Sequence, residues 1–153
     1  MKTTNNLKVH LFELCQNAVD LRLQAVETKI KDIQESLASE TKSSAGDKHE
    51  TGRAMLQLER EKAGQQLAQI EKSNRILSQI KRIKPSKNIG LGSLVLTTNA
   101  NYYIAVSVGE LHVNETTYYA ISADTPMGQL LLGKSTGDNI NFRSNTFKIT
   151  EVL

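Results

Sequence analysis

The sequence predicts an α+β protein in which an N-terminal antiparallel helical hairpin, forming a coiled coil, precedes a small antiparallel sheet with one short helix. Two observations predict this class. Apolar residues in the first half recur at three- and four-residue steps, which is the spacing of a helical seam. After about residue 90 the apolar period changes to two, which is typical of strands. A chain of 153 residues suits one domain, or a domain with an appendage.

The first helical run contains no proline or glycine from residue 1 to residue 45. A pattern of that length suggests a coiled coil. A second apolar row near the N-terminus, which includes Leu11, Leu14 and Leu21, predicts broader burial at that end. The seam itself consists of Phe12, Val19, Leu23, Val26, Ile30, Ile33 and Leu37.

The second helical run extends from near Asp47 to about Ile83, where Lys84-Pro85 ends it because the residue before proline avoids the helical region. Between the runs, residues 41–50 (TKSSAGDKHE) read as a turn. Two runs of similar length joined by a short turn predict a hairpin over residues 1–84 with its tip at residues 41–50. Its seam in the second run consists of Leu56, Ala63, Leu67, Ile70 and Leu77.

Residues 85–90 are the predicted linker, and residues 91–153 are the predicted C-terminal domain. Strands are expected at residues 94–96, 102–106, 117–121, 139–142 and 146–152. A short helix is expected to start with Thr125 as N-cap and Pro126 in the first helical position. Gly133 is the expected left-handed C-terminal cap.

Composition excludes some classes of protein. The single cysteine, Cys15, excludes an internal disulfide framework and any zinc site that needs two cysteines from one chain. No apolar run resembles a signal peptide or reaches the ~20 residues that span a bilayer. We therefore expect a cytoplasmic protein without a membrane segment. Residues 1–87 hold 16 Lys/Arg and 11 Asp/Glu and residues 88–153 hold 3 and 5, so the net charges are +5 and −2. This asymmetry permits a polyanionic partner.

Three segments resemble the GreA/GreB transcription elongation factors. Residues 125–138 (TPMGQLLLGKSTGD) resemble the signature of that family, a Ser-Pro-Leu-Gly-like start followed by Leu-x-Gly-Lys-x-x-Gly-Asp. Residues 89–95 (IGLGSLV) are similar to the opening strand of the family's C-terminal domain. Residues 46–51 (GDKHET) are similar to the family's tip, Gly-Asp-x-x-Glu-Asn, except at the last position.

The resemblance implies an FKBP-like C-terminal domain that docks on RNA polymerase at the rim of the secondary channel. It also implies that the coiled coil enters this channel and stimulates cleavage of backtracked nascent RNA, so that the protein assists the polymerase and is not itself an enzyme. We expect a monomer with no cofactor of its own, which shares Mg²⁺ with the polymerase. The expected polymerase-binding residues are Thr125, Pro126, Met127, Gly128, Gly133, Lys134, Gly137 and Asp138.

Two acidic residues, Asp47 and Glu50, are the candidate catalytic and metal-binding groups. Residues three apart at a helix start lie on one face, with Cβ atoms roughly 5–6 Å apart. Mg²⁺ is commonly held by one or two carboxylates together with phosphates and water, so this pair suits a metal that the polymerase also holds. Lys42, Lys48 and Arg53 are the candidate contacts to RNA phosphates.

Other interpretations stay open. Asp47 and Glu50 also form an acidic variant of a capping box. Thr51 stands where the family has Asn, and Arg53-Ala54 stands where it tends to have an acidic-aromatic pair. These departures favour an alternative, a secondary-channel inhibitor without cleavage activity. A prolyl isomerase, suggested only by the FKBP-like fold, and a plain coiled-coil scaffold are the remaining hypotheses. Cys15 is expected to be a packed helix residue.

Overall fold

A computed structural model describes residues 2–42 and 47–153, with side chains described for residues 5–39 and 51–153. It confirms the α+β class, with a helical region followed by a six-stranded sheet and a short helix. The helices are α1 (Lys2–Lys42), α2 (Asp47–Ile80) and α3 (Pro126–Leu131). The strands are β1 (Leu94–Thr97), β2 (Asn101–Ala105), β3 (Gly109–Val113), β4 (Thr116–Ser122), β5 (Asn139–Phe142) and β6 (Asn145–Val152).

The chain divides into two compact units. One unit contains residues 19–73, which are parts of α1 and α2. We call it the arm unit. The other unit contains residues 1–18 and 74–153, which are the first part of α1, the last part of α2, the whole sheet and α3. We call it the sheet unit.

The long helices pair in opposite directions in both units. In the arm unit, Val19 and Ile70 line one surface groove, whereas Ile33 and Leu56 line another. In the sheet unit, the Gln16 side-chain amide donates to the Asn74 side-chain oxygen at 3.0 Å. Low numbers on α1 therefore meet high numbers on α2, as an antiparallel hairpin requires. All described seam positions are buried or half-buried.

Two helix predictions were wrong. Leu21 is 67% exposed, so the second apolar row of α1 does not extend that far from the N-terminus. The helical pattern of α2 continues to Ile83, but the helix ends at Ile80. The Arg82 N–H bonds to the Gln79 carbonyl at 3.0 Å and the Ile83 N–H to the Ile80 carbonyl at 3.2 Å, which is the tighter i to i+3 pattern.

The sheet is mixed, whereas an antiparallel sheet was predicted. Its strand order is β3-β4-β2-β1-β6-β5, and β2 and β4 run parallel with Tyr103 opposite Ala120. The physical reason is β3, which the sequence analysis did not predict. This strand occupies the sheet edge beyond β4 and pairs antiparallel with it, which places β4 beside β2 in the same direction.

The two faces of the sheet carry different apolar sets. One face joins α3 through a core of Ile89, Val95, Ile104, Leu131, Ile140, Phe147 and Ile149. The other face includes Leu94 and Tyr103, which are opposite each other in the register and at most 1% exposed. Tyr103 lines one cleft together with Phe12 of α1 and Ile80 of α2, so the ends of the two long helices lie against this second face. The expectation of a packed Cys15 is confirmed, since it is fully buried.

Each tyrosine pair places one ring on each face, as alternation along a strand requires. Tyr103 and Tyr118 are buried, whereas Tyr102 and Tyr119 are half-buried with ring centroids 6.1 Å apart. Burial, together with the neighbouring Tyr119, raises the pKa of Tyr102. The half-buried pair therefore forms a packed aromatic row on the face that α3 also covers.

Candidate partner-binding site

The segment from residue 122 to residue 138 contains the residues predicted to bind a partner, and it begins with a helix cap. The Thr125 hydroxyl accepts a hydrogen bond from the Gly128 N–H at 3.0 Å and donates to the Ser122 carbonyl at 2.8 Å. Pro126 occupies the first turn, where a missing N–H is harmless. The predicted N-cap is thereby confirmed.

Gly128 is required by close packing of the backbone. A Cβ placed on it would lie 2.4 Å from the Ser122 carbonyl oxygen, and 2.9 Å from both the Ala123 carbonyl oxygen and the Thr125 hydroxyl oxygen. Real Cβ atoms essentially never approach so closely. The glycine of this motif thus lets the first turn of α3 sit directly against the end of β4.

The end of α3 is tied to the segment that precedes the sheet. Gly133 has φ +80°, confirming the expected left-handed cap. Its N–H donates to the Ile89 carbonyl at 2.8 Å, while the Ile89 N–H donates to the Lys134 carbonyl at 2.8 Å. Residues 89–95 and 125–138, which the sequence analysis singled out separately, are therefore in direct contact.

Gly137 and Asp138 form a turn that docks on β6. The Asp138 carboxylate accepts from the Ser135 N–H at 2.8 Å and from its hydroxyl at 3.4 Å. Gly137 has φ +95°, and its N–H donates to the Ile149 carbonyl at 2.8 Å. The Ile149 N–H returns a bond to the Asp138 carbonyl at 2.9 Å. These residues thus shape the backbone.

The residues predicted to bind a partner divide into two groups. Most of them have internal structural roles: Thr125, Gly128, Gly133, Gly137 and Asp138 hold the loop, and Met127 packs against the core beside α3. Pro126 and Lys134 are exposed. The structure therefore leaves these two side chains accessible to a partner.

Two accessible apolar side chains were not predicted. Leu130 and Leu132 are 37% and 39% exposed, on either side of the fully buried Leu131. We call the four exposed side chains of this segment, three apolar and one basic, the α3 patch: Pro126, Leu130, Leu132 and Lys134. The signal was present in the sequence, because consecutive residues of a helix point in different directions and one packing face cannot bury Leu130, Leu131 and Leu132 together.

The tip is described only in part. Asp47 is the first residue of α2, so Asp47 and Glu50 belong to its first turn, but their side chains lie outside the described residues. The same is true of the side chains of Lys42 and Lys48. Arg53 is described and is exposed on α2.

Among the residues with described side chains, no group of three or more His, Cys, Asp or Glu could hold a metal ion. No described helix is long and apolar enough to cross a bilayer.

The sequence was also compared with known proteins. No model of a known protein family matches this chain, and no curated protein matches it.

Proposed function

We propose that this protein is a GreA/GreB-like factor that binds RNA polymerase through the sheet unit and inserts the arm into the secondary channel. The observation that carries the proposal is the fold of residues 125–138. The residues that resemble the family signature form one connected set of caps and turns, and they leave an apolar and basic patch exposed. A surface of this kind suits a protein partner.

The arm supports the second half of the proposal. α1 has 41 residues and α2 has 34, which at 1.5 Å per residue correspond to about 60 Å and 50 Å. The acidic pair Asp47 and Glu50 lies where α2 begins, next to the segment that joins the two helices. An acidic pair at the end of a long helical pair is the arrangement needed to deliver carboxylates into a deep channel.

The mechanism assigns a supporting chemical role to this pair. Asp47 and Glu50 would contribute carboxylate oxygens to Mg²⁺ at the polymerase active site, where the metal activates water and stabilises the leaving oxygen of the phosphodiester. Arg53 is exposed and would approach RNA phosphates, together with Lys42 and Lys48. In this proposal the phosphodiester bond is broken within the polymerase, and the arm adds ligands and charge.

The proposal is tested on a stalled, backtracked polymerase complex that carries labelled RNA. We expect the wild-type protein to accelerate 3′ RNA cleavage in Mg²⁺. With the Asp47→Ala, Glu50→Ala double variant, cleavage should be at least about tenfold slower than with the wild type, while the affinity of the variant for the polymerase is unchanged.

A matched control is available on the same arm. Asp32 and Glu35 have the same spacing on α1 and both are exposed, so Asp32→Ala, Glu35→Ala removes an equivalent charge away from the tip. This variant should cleave like the wild type. Equal loss in both variants would mean that general acidity of the arm, and not the tip, is responsible.

A second candidate function is a secondary-channel inhibitor without cleavage activity. The observation that favours it is Thr51, together with Arg53-Ala54, at positions where the family has different residues at its tip. An inhibitor would bind the polymerase and slow RNA synthesis, and neither the wild type nor the tip variant would cleave RNA. Absence of polymerase binding would reject both candidates.

A further inference from the structure

A cleft of about 390 Å³ lies within the sheet unit, away from the α3 patch. Its walls come from the first turns of α1, the end of α2 and the segment between α2 and β1, and Tyr103 of β2 contributes to the lining. None of these residues belongs to the tip or to residues 125–138. The cleft is therefore a feature that the proposed function does not explain.

The wall formed by residues 86–93 is held by specific hydrogen bonds. The Asn88 N–H donates to the Ser86 hydroxyl at 3.2 Å, and the Gly90 N–H donates to the Ser93 hydroxyl at 3.0 Å. The Gly92 N–H donates to the Ile104 carbonyl at 2.7 Å. This wall is thus attached to the sheet and has a defined shape.

Apolar side chains dominate the cleft. Val9, Phe12, Ile80, Ile83 and Leu91 line it. Two of these apolar side chains are largely exposed, Val9 at 56% and Ile83 at 46%. Water therefore contacts apolar surface here that an apolar ligand would cover.

The charged side chains of the cleft all have one sign. Lys8, Lys81 and Lys84 line it, and no described lining residue carries a carboxylate. Lys81 lies over the Phe12 ring, 5.5 Å from its centroid. Lys8 is half-buried, and burial lowers its pKa because the charged ammonium is poorly hydrated there. An anion next to these lysines would offset that loss of hydration.

We propose that this cleft binds a small amphipathic anion, specifically an aliphatic carboxylate of medium chain length, with its chain on the apolar wall and its carboxylate among the three lysines. The volume is at the lower end of the roughly 300–1,000 Å³ of small-ligand sites. At about 30 Å³ per water-sized group, it has room for roughly a dozen heavy atoms. Decanoate has that size.

The test is titration of the full-length protein with three probes. Binding is measured by calorimetry and by the shifts of amide NMR signals. Decanoate should bind saturably and shift the amide signals of Gly90, Gly92 and Tyr103. Decyltrimethylammonium has the same chain with a positive head, and acetate has the head without a chain. Both should bind at least about tenfold more weakly, because each lacks one of the two matching features.

Two kinds of variant test the location. Lys8→Gln, Lys81→Gln, Lys84→Gln should weaken decanoate binding at least about tenfold, whereas the same change at exposed Lys31, Lys62 and Lys148 should leave it unchanged.

Val9→Glu places a carboxylate in the cleft and should also weaken binding at least about tenfold. Its control is Leu21→Glu, at a 67% exposed position of the same helix outside the cleft. Equal binding of decanoate and decyltrimethylammonium would overturn the proposal, as would the absence of saturable decanoate binding. Unchanged affinity in both cleft variants would also overturn it.

Discussion

Gly128 is the residue at which a single added methyl group should be most damaging to the sheet unit. In Gly128→Ala, the new Cβ would lie 2.4 Å from the Ser122 carbonyl oxygen, about 1 Å inside ordinary contact distance. Because the opposing atom is backbone and belongs to the end of β4, α3 must move.

The size of the effect follows from what that movement breaks. The hydrogen bonds of the Thr125 cap would be lost, which is worth about 1–2 kcal/mol. Leu131, three residues after Gly128, is fully buried and would be pulled partly out of the core when α3 moves. Truncation of a buried leucine to alanine costs about 2–5 kcal/mol, and partial withdrawal costs a fraction of that. We expect a loss of about 3–5 kcal/mol, against a total stability of roughly 5–15 kcal/mol for a typical domain.

Urea unfolding provides the assay, with Gly64→Ala as the matched control. A Cβ on Gly64 meets only the end of the Arg60 side chain, at 3.4 Å, so this substitution in α2 should stabilise by up to ~1 kcal/mol. All four tyrosines lie in the sheet unit and the chain has no tryptophan. Tyrosine fluorescence therefore reports on that unit, and circular dichroism at 222 nm reports mainly on the helices. A loss below about 1 kcal/mol in Gly128→Ala would refute the close-packing argument.

Three further predictions concern other parts of the protein. Burial raises the pKa of the Cys15 thiol from about 9 to about 12. The folded protein then holds a proton that the unfolded chain releases, so the free energy of unfolding should be fully retained below pH ~9 and fall between pH ~9 and 12. Urea titrations at several pH values should show that the free energy of unfolding falls less steeply with pH in Cys15→Ala than in the wild type, and identical pH profiles for the two proteins would contradict this. Glu115 has φ +66° in the turn between β3 and β4, so Glu115→Gly should stabilise by about 1 kcal/mol in thermal unfolding, and a lower midpoint temperature would count against the strain. Leu130→Ser, Leu132→Ser should weaken polymerase binding at least about tenfold in a pull-down titration, whereas Leu21→Ser, at a 67% exposed arm position, should not.

Most of the helical region could be predicted from the sequence because burial along a paired helix follows the apolar period. Val19, Val26 and Ile33 are buried where the seam required them. Leu21 was misassigned because its spacing fits a second apolar row, although its side chain is 67% exposed.

The topology of the sheet was harder to predict because it depends on long-range pairing. Only Leu111 and Val113 of β3 are buried, and Gly109, Glu110 and His112 give it the composition of a loop. Without that edge strand, nothing in the local pattern indicates that β2 and β4 run parallel.

The candidate site was predicted in part. The motif identified a segment that folds as one connected set of caps and turns, and the N-cap and the left-handed glycine followed from local backbone chemistry. Leu130 and Leu132, which are 37% and 39% exposed, were not among the predicted binding residues. The cleft beside Lys8 and Tyr103 could not be predicted, since residues far apart in the sequence form it.

The most direct test of the proposed function asks whether the tip of the arm reaches the RNA inside the polymerase. A photo-crosslinking amino acid would replace Met55, which is exposed and eight residues into α2, about 12 Å from its start. The control position is Leu21, which is also exposed. It lies 21 residues before the end of α1, which corresponds to about 31 Å along the helix from that end. In a backtracked complex with labelled RNA, crosslinks from position 55 to the 3′ segment of the RNA, and none from position 21, are the predicted result. Crosslinks to polymerase alone, or equal RNA labelling from both positions, would contradict entry of the tip into the channel.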